Sequence, residues 1–126
     1  MSDKMYTVWI SRFIGEVGEG CLFHKPLRLE GDAIDCIQIG SSTTIQEHTV
    51  LGCRKHYGNQ IFNPEMIIGS RCDIGAYCHI TAINSIIIGD GLLTGRYVYI
   101  GDNAHGGFSF EEANIPPGQR DRKSVV

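Results

Sequence analysis

Aliphatic residues recur at every sixth position in the middle of the chain, and this spacing constrains the fold more than any other feature. The repeat begins three times, at "IQIG" (37–40), "IIG" (67–69) and "IIIG" (86–89). Steps of six from the aliphatic residue before each glycine give three ladders: Ile39, Ile45, Leu51; Ile68, Ile74, Ile80; and Ile88, Thr94, Ile100. A period of six fits neither an α-helix nor a simple strand.

A second ladder lies four residues after the first. Its members are mostly small or β-branched: Thr43 and Thr49; Cys72, Cys78 and Asn84; and Leu92, Val98 and Ala104. We interpret each hexad as one short strand and one corner, with the aliphatic residue and the small residue both facing a narrow interior. Three hexads then form one triangular coil of about 18 residues, and successive coils stack by parallel pairing. In this interpretation Cys72 and Cys78 fill the core as small hydrophobes.

The ladders also divide the chain. The first ladder is separated from the second by more than one coil, and the excess lies in "CRKHYGNQIFNPEM" (53–66), which we predict to be a projecting loop. The sequence therefore predicts one all-β domain over 1–126, with an N-terminal segment (1–36), hexapeptide coils (37–105) and a polar C-terminal loop or tail (106–126). Cys21, Cys36 and Cys53 lie off the predicted ladders and receive no role.

Composition excludes several classes of function. The formal charge of −3 predicts no basic face for nucleic acid or an anionic membrane. No apolar run approaches the roughly 20 residues of a membrane span, and the N-terminus lacks the features of a signal peptide. Five cysteines without a CxxC pair argue against a zinc ribbon or a disulfide framework. We therefore expect reduced thiols and a cytoplasmic location.

The candidate catalytic residue is His105, in the stretch "LTGRYVYIGDNAHGG" (93–107). Histidine titrates near neutral pH and can accept a proton from an attacking hydroxyl, although a surface histidine at a corner is the alternative interpretation. Asp102 could orient the His105 ring or satisfy backbone amides of the turn. Asn84 could contact a substrate or belong to an asparagine ladder inside the fold. His48 and His79 occupy earlier corners, where solvation is the simpler expectation.

The segments "PLRLEG", "IQIGSSTTIQEHTVLG" and "MIIGSRCDIGAYCHITAINSIIIGDGLLTGRYVYIGDNAHG", with Pro116-Pro117 after them, resemble the hexapeptide-repeat acyltransferases. Bacterial sugar and polysaccharide O-acetyltransferases are the most similar members. The resemblance implies a left-handed parallel β-helix, and the handedness comes from the resemblance alone. It also implies transfer of acetyl from acetyl-CoA to a saccharide hydroxyl, with His105 as general base, Asn84 and Asp102 near the acceptor, no metal and a homotrimer.

The sequence departs from this family after His105. Family members usually continue with coils that form much of the coenzyme A tunnel, whereas this chain has "FSFEEANIPPGQRDRKSVV". Two interpretations follow: a truncated, inactive chain, or a degenerate member that no longer binds coenzyme A. Family chains commonly return to the helix after such a loop, so we expect a return near Ser124. An uncapped parallel edge would also favour self-association.

Two other functions remain as alternatives. The first is a non-catalytic β-helix that serves as a binding or assembly surface. The second is a zinc hydratase like the carbonic anhydrases of this fold, which needs three histidines on neighbouring coils. No close histidine partner stands near His105 in the sequence, which disfavours the hydratase.

Overall fold

The computed structural model describes residues 1–102 and 123–125; it has little helix, and most of its strands pair in parallel sheets. The all-β prediction is thereby confirmed. The one α-helix among the described residues is α1 (Asp3–Ile10), followed by a short 3₁₀ helix (Ser11–Phe13), and a second 3₁₀ helix covers Ile34–Cys36. The strands are β1 (Glu16–Val17), β2 (Leu22–Phe23), β3 (Leu27–Glu30), β4 (Ile37–Ile39), β5 (Thr44–Ile45), β6 (Thr49–Cys53), β7 (His56–Tyr57), β8 (Gln60–Ile61), β9 (Glu65–Ile68), β10 (Asp73–Ile74), β11 (His79–Ala82), β12 (Ser85–Ile88), β13 (Tyr99–Gly101) and β14 (Lys123–Val125).

The strands form three parallel sheets that the chain visits in rotation. The first sheet has the order β1-β4-β9-β12-β14, the second β10-β5-β2, and the third β13-β11-β6-β3. An isolated parallel bridge between Asp73 and Leu93 continues the second sheet. We call one visit to each of the three sheets a circuit; the first circuit is β1 to β3.

The pairing register confirms the aliphatic ladder. Ile39 pairs with Ile68, Ile45 with Ile74, and Leu51 with Ile80. All six side chains are buried. Each strand is too short to bury an apolar residue by itself, so the parallel stacking of identical positions supplies the core.

The rotation begins earlier than the hexads identified in the sequence. Val17 pairs with Ile39, and Phe23 pairs with Ile45. Leu29 pairs with Leu51, so the segment before residue 37 already contains a full circuit. The first circuit has the same spacing of six, at Val17, Phe23 and Leu29. Only Val17 is followed by glycine, and the three side chains differ in kind, so the pattern is not evident in the sequence.

Small polar side chains link successive circuits in the interior. The Thr43 hydroxyl donates to the Gly69 carbonyl at 2.7 Å, and the Thr49 hydroxyl donates to the Gly75 carbonyl at 2.9 Å. Each hydroxyl also accepts a backbone N–H from the next circuit, that of Cys72 or Cys78. Burial of both threonines is therefore compatible with complete hydrogen bonding.

Cysteine thiols make the same kind of contact. The thiol of Cys72 donates to the Gly89 carbonyl at 3.3 Å, and that of Cys78 donates to Gly95 at 3.2 Å. Cys72 and Cys78 are buried core residues, as predicted. The assignment of Cys21 to a position off the ladder was wrong, because its thiol contacts the Gly40 carbonyl at 2.9 Å, one circuit before Thr43.

The corners between sheets are columns of left-handed residues. Gly20, Ser42, Arg71 and Gly91 form one column, and His48, Tyr77 and Tyr97 form the other; all seven have positive φ. Left-handed backbone costs a non-glycine residue on the order of 1–3 kcal/mol. In both columns the corner N–H donates to a carbonyl of the preceding circuit, as Tyr77 does to Glu47 at 3.1 Å, and this bond offsets part of that cost.

Helix α1 covers the exposed edge of the first circuit. The Thr7 hydroxyl accepts from the Phe23 N–H at 2.8 Å, and the Tyr6 hydroxyl accepts from the Leu27 N–H at 2.9 Å. Both hydroxyls lie within donor distance of the carbonyl of the same strand residue. The two side chains thus replace a neighbouring strand for β2 and β3, which would otherwise present unpaired edges.

The projecting loop predicted at 53–66 is an antiparallel hairpin of β7 and β8 outside the three sheets. Its limits are narrower than expected, because Cys53 and Met66 are buried members of β6 and β9. Asp32 anchors the hairpin by accepting the Lys55 N–H at 2.7 Å and by pairing with the His56 ring.

Strand β14 confirms that the chain returns to the sheets near Ser124. Ser85 pairs with Lys123, Ile86 with Ser124 and Ile87 with Val125, so β14 extends the first sheet beyond β12. Among the described residues, none of the helices has the length and apolar character of a membrane span.

The substitution Thr49→Val tests the interior links. Valine has nearly the same shape but leaves both the Gly75 carbonyl and the Cys78 N–H without the hydroxyl. We expect the free energy of unfolding to fall by about 2–4 kcal/mol. Thr49→Ser, which keeps the hydroxyl, should lose less in the same urea titration. Equal losses for the two variants would show that the hydroxyl contributes little.

The substitution Gly75→Ala tests how closely the circuits approach. A Cβ at Gly75 would collide with the Gly95 carbonyl, whereas a Cβ at Gly95 would meet nothing within 4 Å. We expect Gly75→Ala to lower the free energy of unfolding by about 2 kcal/mol or more. Gly95→Ala should remain within about 1 kcal/mol of the wild type. Thermal and urea unfolding of both variants would check this, and a neutral Gly75→Ala would contradict the close packing.

Candidate functional site

Asp102 lies directly after β13, at the turn between β11 and β12 of the preceding circuit. Its Oδ1 accepts the Ile83 N–H at 2.9 Å, and its Oδ2 accepts the N–H groups of Asn84 at 2.8 Å and Ser85 at 2.7 Å. One carboxylate therefore collects three consecutive backbone donors. The structure brings together two of the residues selected from the sequence, Asn84 and Asp102.

The Asp102 carboxylate is nearly removed from solvent, with 3% of the residue exposed. A buried carboxylate is tolerated when hydrogen bonds replace its water, and charge-assisted bonds of this kind are stronger than neutral ones. The sequence suggested two roles for Asp102, orienting the His105 ring or satisfying amides of its own turn. The amides that it satisfies belong instead to the turn of the preceding circuit. Asp102 therefore fixes the chain just before residue 103 against residues 83–85.

The same turn is held on its other side by Glu65 of β9. The Asn84 carbonyl accepts the Glu65 N–H at 3.0 Å, and the Ser85 hydroxyl donates to the Glu65 carboxylate at 2.7 Å. Backbone groups of Asn84 thus bond on both sides, while the residue stays half-buried. The structure gives Asn84 a definite place beside Asp102, at the turn rather than inside a strand.

His105 lies outside the described residues, as does Ala104. Asp102 is the last described residue before it, three positions away. The role of His105 therefore stays a prediction.

An aromatic side chain stands beside Asp102. Tyr99 of β13 pairs with His79 of β11, and the two rings meet edge to face with centroids 5.5 Å apart. Burial and the negative charge of Asp102 raise the pKa of Tyr99 above its usual value. Tyr99 was missed in the sequence, where it reads only as the outward residue of a V-x-I strand.

Rings also stack along the corner between the second and third sheets. His48 stacks on Tyr77 at 4.8 Å, and Tyr77 stacks on Tyr97 at 5.3 Å. The Arg96 guanidinium lies 5.4 Å from the centroid of Tyr77 and 5.5 Å from that of Tyr97. We call these four residues the ring column. His48 is exposed, as expected for a corner, but its stacking was not predicted.

A groove of about 560 Å³ runs beside the ring column. It is lined by Pro26, Leu27, Arg28, His48, Val50 and Tyr77. Tyrosine and arginine at an exposed groove are typical of binding surfaces.

Two further histidines pair with aspartates at the surface. The Nδ1 of His24 lies 2.8 Å from Asp3, and His56 pairs with Asp32. Hydrogen bonds from these rings, helped by backbone N–H groups, lower the pKa of Asp3 and of Asp32 to about 2. Asp3 docks the start of α1 and Asp32 docks the hairpin, so the pairs have a clear structural use.

The buried Cys53 is not an activated nucleophile. All five cysteines are free thiols. Burial, and to a lesser extent the neighbouring Cys36, raises the pKa of Cys53 to about 12. Nucleophilic cysteines need the opposite shift, toward the thiolate. In the described part of the chain no three histidine, cysteine or acidic side chains gather closely enough to hold a metal ion.

The substitution Asp102→Asn tests the anchoring carboxylate. Whichever way the amide turns, at least one of the three backbone N–H groups would face an NH₂ group. We expect the free energy of unfolding to fall by about 2–4 kcal/mol. Asp90→Asn is the matched control, because the exposed Asp90 accepts only the Ser70 N–H and a weak Arg71 contact. Equal urea midpoints for the two variants would contradict the anchoring role.

Comparison with known proteins adds no relative, because no family model, curated protein or solved structure matches the chain.

Proposed function

We propose that the chain is an O-acetyltransferase that moves acetyl from acetyl-CoA to a saccharide hydroxyl, with His105 as general base. The observation that carries the proposal is the burial of Asp102 on three amides of residues 83–85. A general base must be held in a definite position relative to its substrate. Asp102 supplies a fixed point three residues before His105, beside Asn84.

The proposed fold is a left-handed parallel β-helix whose faces are the three sheets. The rotation of the chain through three parallel sheets, with identical positions stacked in register, supports it. The handedness rests on the resemblance of the sequence to hexapeptide-repeat acyltransferases. That resemblance also supports a homotrimer, and the five free thiols are compatible with a reducing compartment such as the cytoplasm.

The proposed reaction needs no covalent enzyme intermediate. The neutral His105 ring accepts the proton of the acceptor hydroxyl as its oxygen attacks the thioester carbonyl. The tetrahedral intermediate then collapses, the C–S bond breaks, and the proton passes to the departing thiolate. Backbone N–H groups of a tight turn near the reacting carbonyl can stabilise the oxyanion. Asn84 is proposed to border the acceptor while Asp102 holds the turn of residues 83–85 beside it, and no described residue is assigned to coenzyme A.

A non-catalytic binding module is the second candidate, and the ring column favours it. Tyr77, Tyr97 and Arg96 are exposed on one corner beside a groove. Exposed tyrosine and arginine are enriched at protein interfaces. On this alternative the strands act as a rigid scaffold and His105 has no chemical role.

Turnover by the full chain separates the two candidates. Purified protein is incubated with acetyl-CoA and a panel of mono- and oligosaccharides, and released coenzyme A is measured by chromatography, since five free cysteines would react with thiol reagents. We expect His105→Ala to lower the rate by about 10²–10⁴-fold. The control His56→Ala removes an exposed hairpin histidine and should leave the rate unchanged.

Two results would overturn the acetyltransferase proposal. One is the absence of both transfer and thioester hydrolysis in the wild type, which would favour the binding module. The other is an undiminished rate in His105→Ala, which would remove the proposed base.

A further inference from the structure

The outer side of the N-terminal segment carries apolar side chains that remain exposed, although the Trp9 ring meets those of Tyr6 and Phe13. Met5 is 62% exposed, Val8 66%, Trp9 43% and Phe13 48%. They stand at positions i, i+3, i+4 and i+8, and so lie on one side of α1 and the turn after it. Met5, Val8 and Trp9 also border a hollow of about 320 Å³. We call this surface the outer face of α1.

The outer face is not needed to attach α1 to the sheets. The opposite side of the helix does this, through the Tyr6 and Thr7 hydroxyls and the buried Ile10. Folding therefore does not require apolar side chains at Val8 and Trp9. An exposed apolar cluster that the fold does not use marks an interaction surface.

The charges on the outer face are all positive. Lys4 and Arg12 are exposed next to Met5 and Phe13 in the sequence, and neither forms an ion pair within residues 1–102. Asp3, the acidic residue of α1, is turned aside into its pairs with His24 and Lys25. The outer face is therefore cationic on a chain whose formal charge is −3.

We propose that the outer face of α1 binds the surface of an anionic lipid bilayer. Tryptophan and phenylalanine beside lysine and arginine are the composition of segments that lie in the membrane interface. The apolar side chains enter the acyl boundary, and the two cations stay with lipid phosphates. The chain would lie on the membrane without crossing it.

A second copy of the chain fits this face less well. Two outer faces packed on one another by two-fold symmetry would oppose Lys4 and Arg12 of one copy to those of the other. An anionic partner is complementary instead. The formal charge of −3 predicted no anionic partner, because a total charge does not reveal a cationic patch on one part of the surface.

Helix α1 and Asp102 lie at opposite ends of the described structure. Helix α1 contacts β2 and β3, which end the second and third sheets on one side. Asp102 follows β13, at the opposite end of the third sheet. A chain docked through α1 therefore keeps the Asp102 end away from the lipid. Membrane binding does not depend on the proposed acetyl transfer.

Trp9 is the single tryptophan of the chain, so its fluorescence reports on this face alone. Full-length protein is titrated with vesicles of phosphatidylcholine, with and without phosphatidylglycerol. We expect a blue shift and co-sedimentation with the anionic vesicles, reduced by high salt. We expect the protein to bind neutral vesicles at least about tenfold more weakly than anionic ones. Absence of binding to anionic vesicles would overturn the proposal.

The matched variants are Lys4→Glu/Arg12→Glu and Arg54→Glu/Lys55→Glu, the latter at the start of the hairpin. Both change the formal charge by the same amount, but only the first alters the outer face. We expect the first to weaken binding to anionic vesicles by about tenfold or more and the second to leave it nearly unchanged. Equal weakening of both would show non-specific attraction and contradict the proposal. A blue shift that appears on self-association without lipid would assign the face to a second copy.

Discussion

Buried hydroxyl and thiol groups that bond to glycine carbonyls of the next circuit are the interaction on which the rest of the structure depends. Short strands leave the corner carbonyls and N–H groups without strand partners, and burial makes an unpaired backbone group costly. Thr43 and Thr49 satisfy both kinds of group at once. Gly69 and Gly75, whose carbonyls accept these bonds, also lie so close to the following circuit that a Cβ would collide with it, which explains why glycine recurs there.

The same solution recurs at strands that lack a neighbour on one side, and at a turn. Hydroxyls of Tyr6 and Thr7 replace a missing strand at the edges of β2 and β3. Asp102 does so with a carboxylate at the turn of residues 83–85. A side chain takes the place of a backbone partner in each case, and this couples the interior links, the helix that covers one edge and the candidate site.

Much of the fold could be predicted because the repeat stacks like residues on like. The spacing of Ile45 and Ile74 predicted both their burial and the parallel pairing between their strands. The first circuit was not predicted, because Phe23 is large and is followed by histidine. The hexad signature of isoleucine and glycine is therefore absent there. Contacts of Asp102 with residues 83–85 could not be predicted, since they depend on how two irregular turns meet across circuits.

The site was predicted only in part, for the same reason. Sequence spacing selected Asn84 and Asp102, and the structure joins them at 2.8 Å. Tyr99 and the ring column arise from registers between distant strands, which a single motif does not contain. The outer face of α1 was hidden by the overall charge, because the acidic residues that set it lie elsewhere on the chain.

These features together describe stacked circuits with Asp102, three residues before His105, at one end and an apolar, cationic helix at the other. The central functional claim is that the turn after Asp102 serves acetyl transfer. Calorimetric titration of the full chain with acetyl-CoA tests it most directly. The account predicts saturable binding that desacetyl coenzyme A can displace. Absence of binding heat, together with an unchanged thermal midpoint at saturating acetyl-CoA, would contradict it.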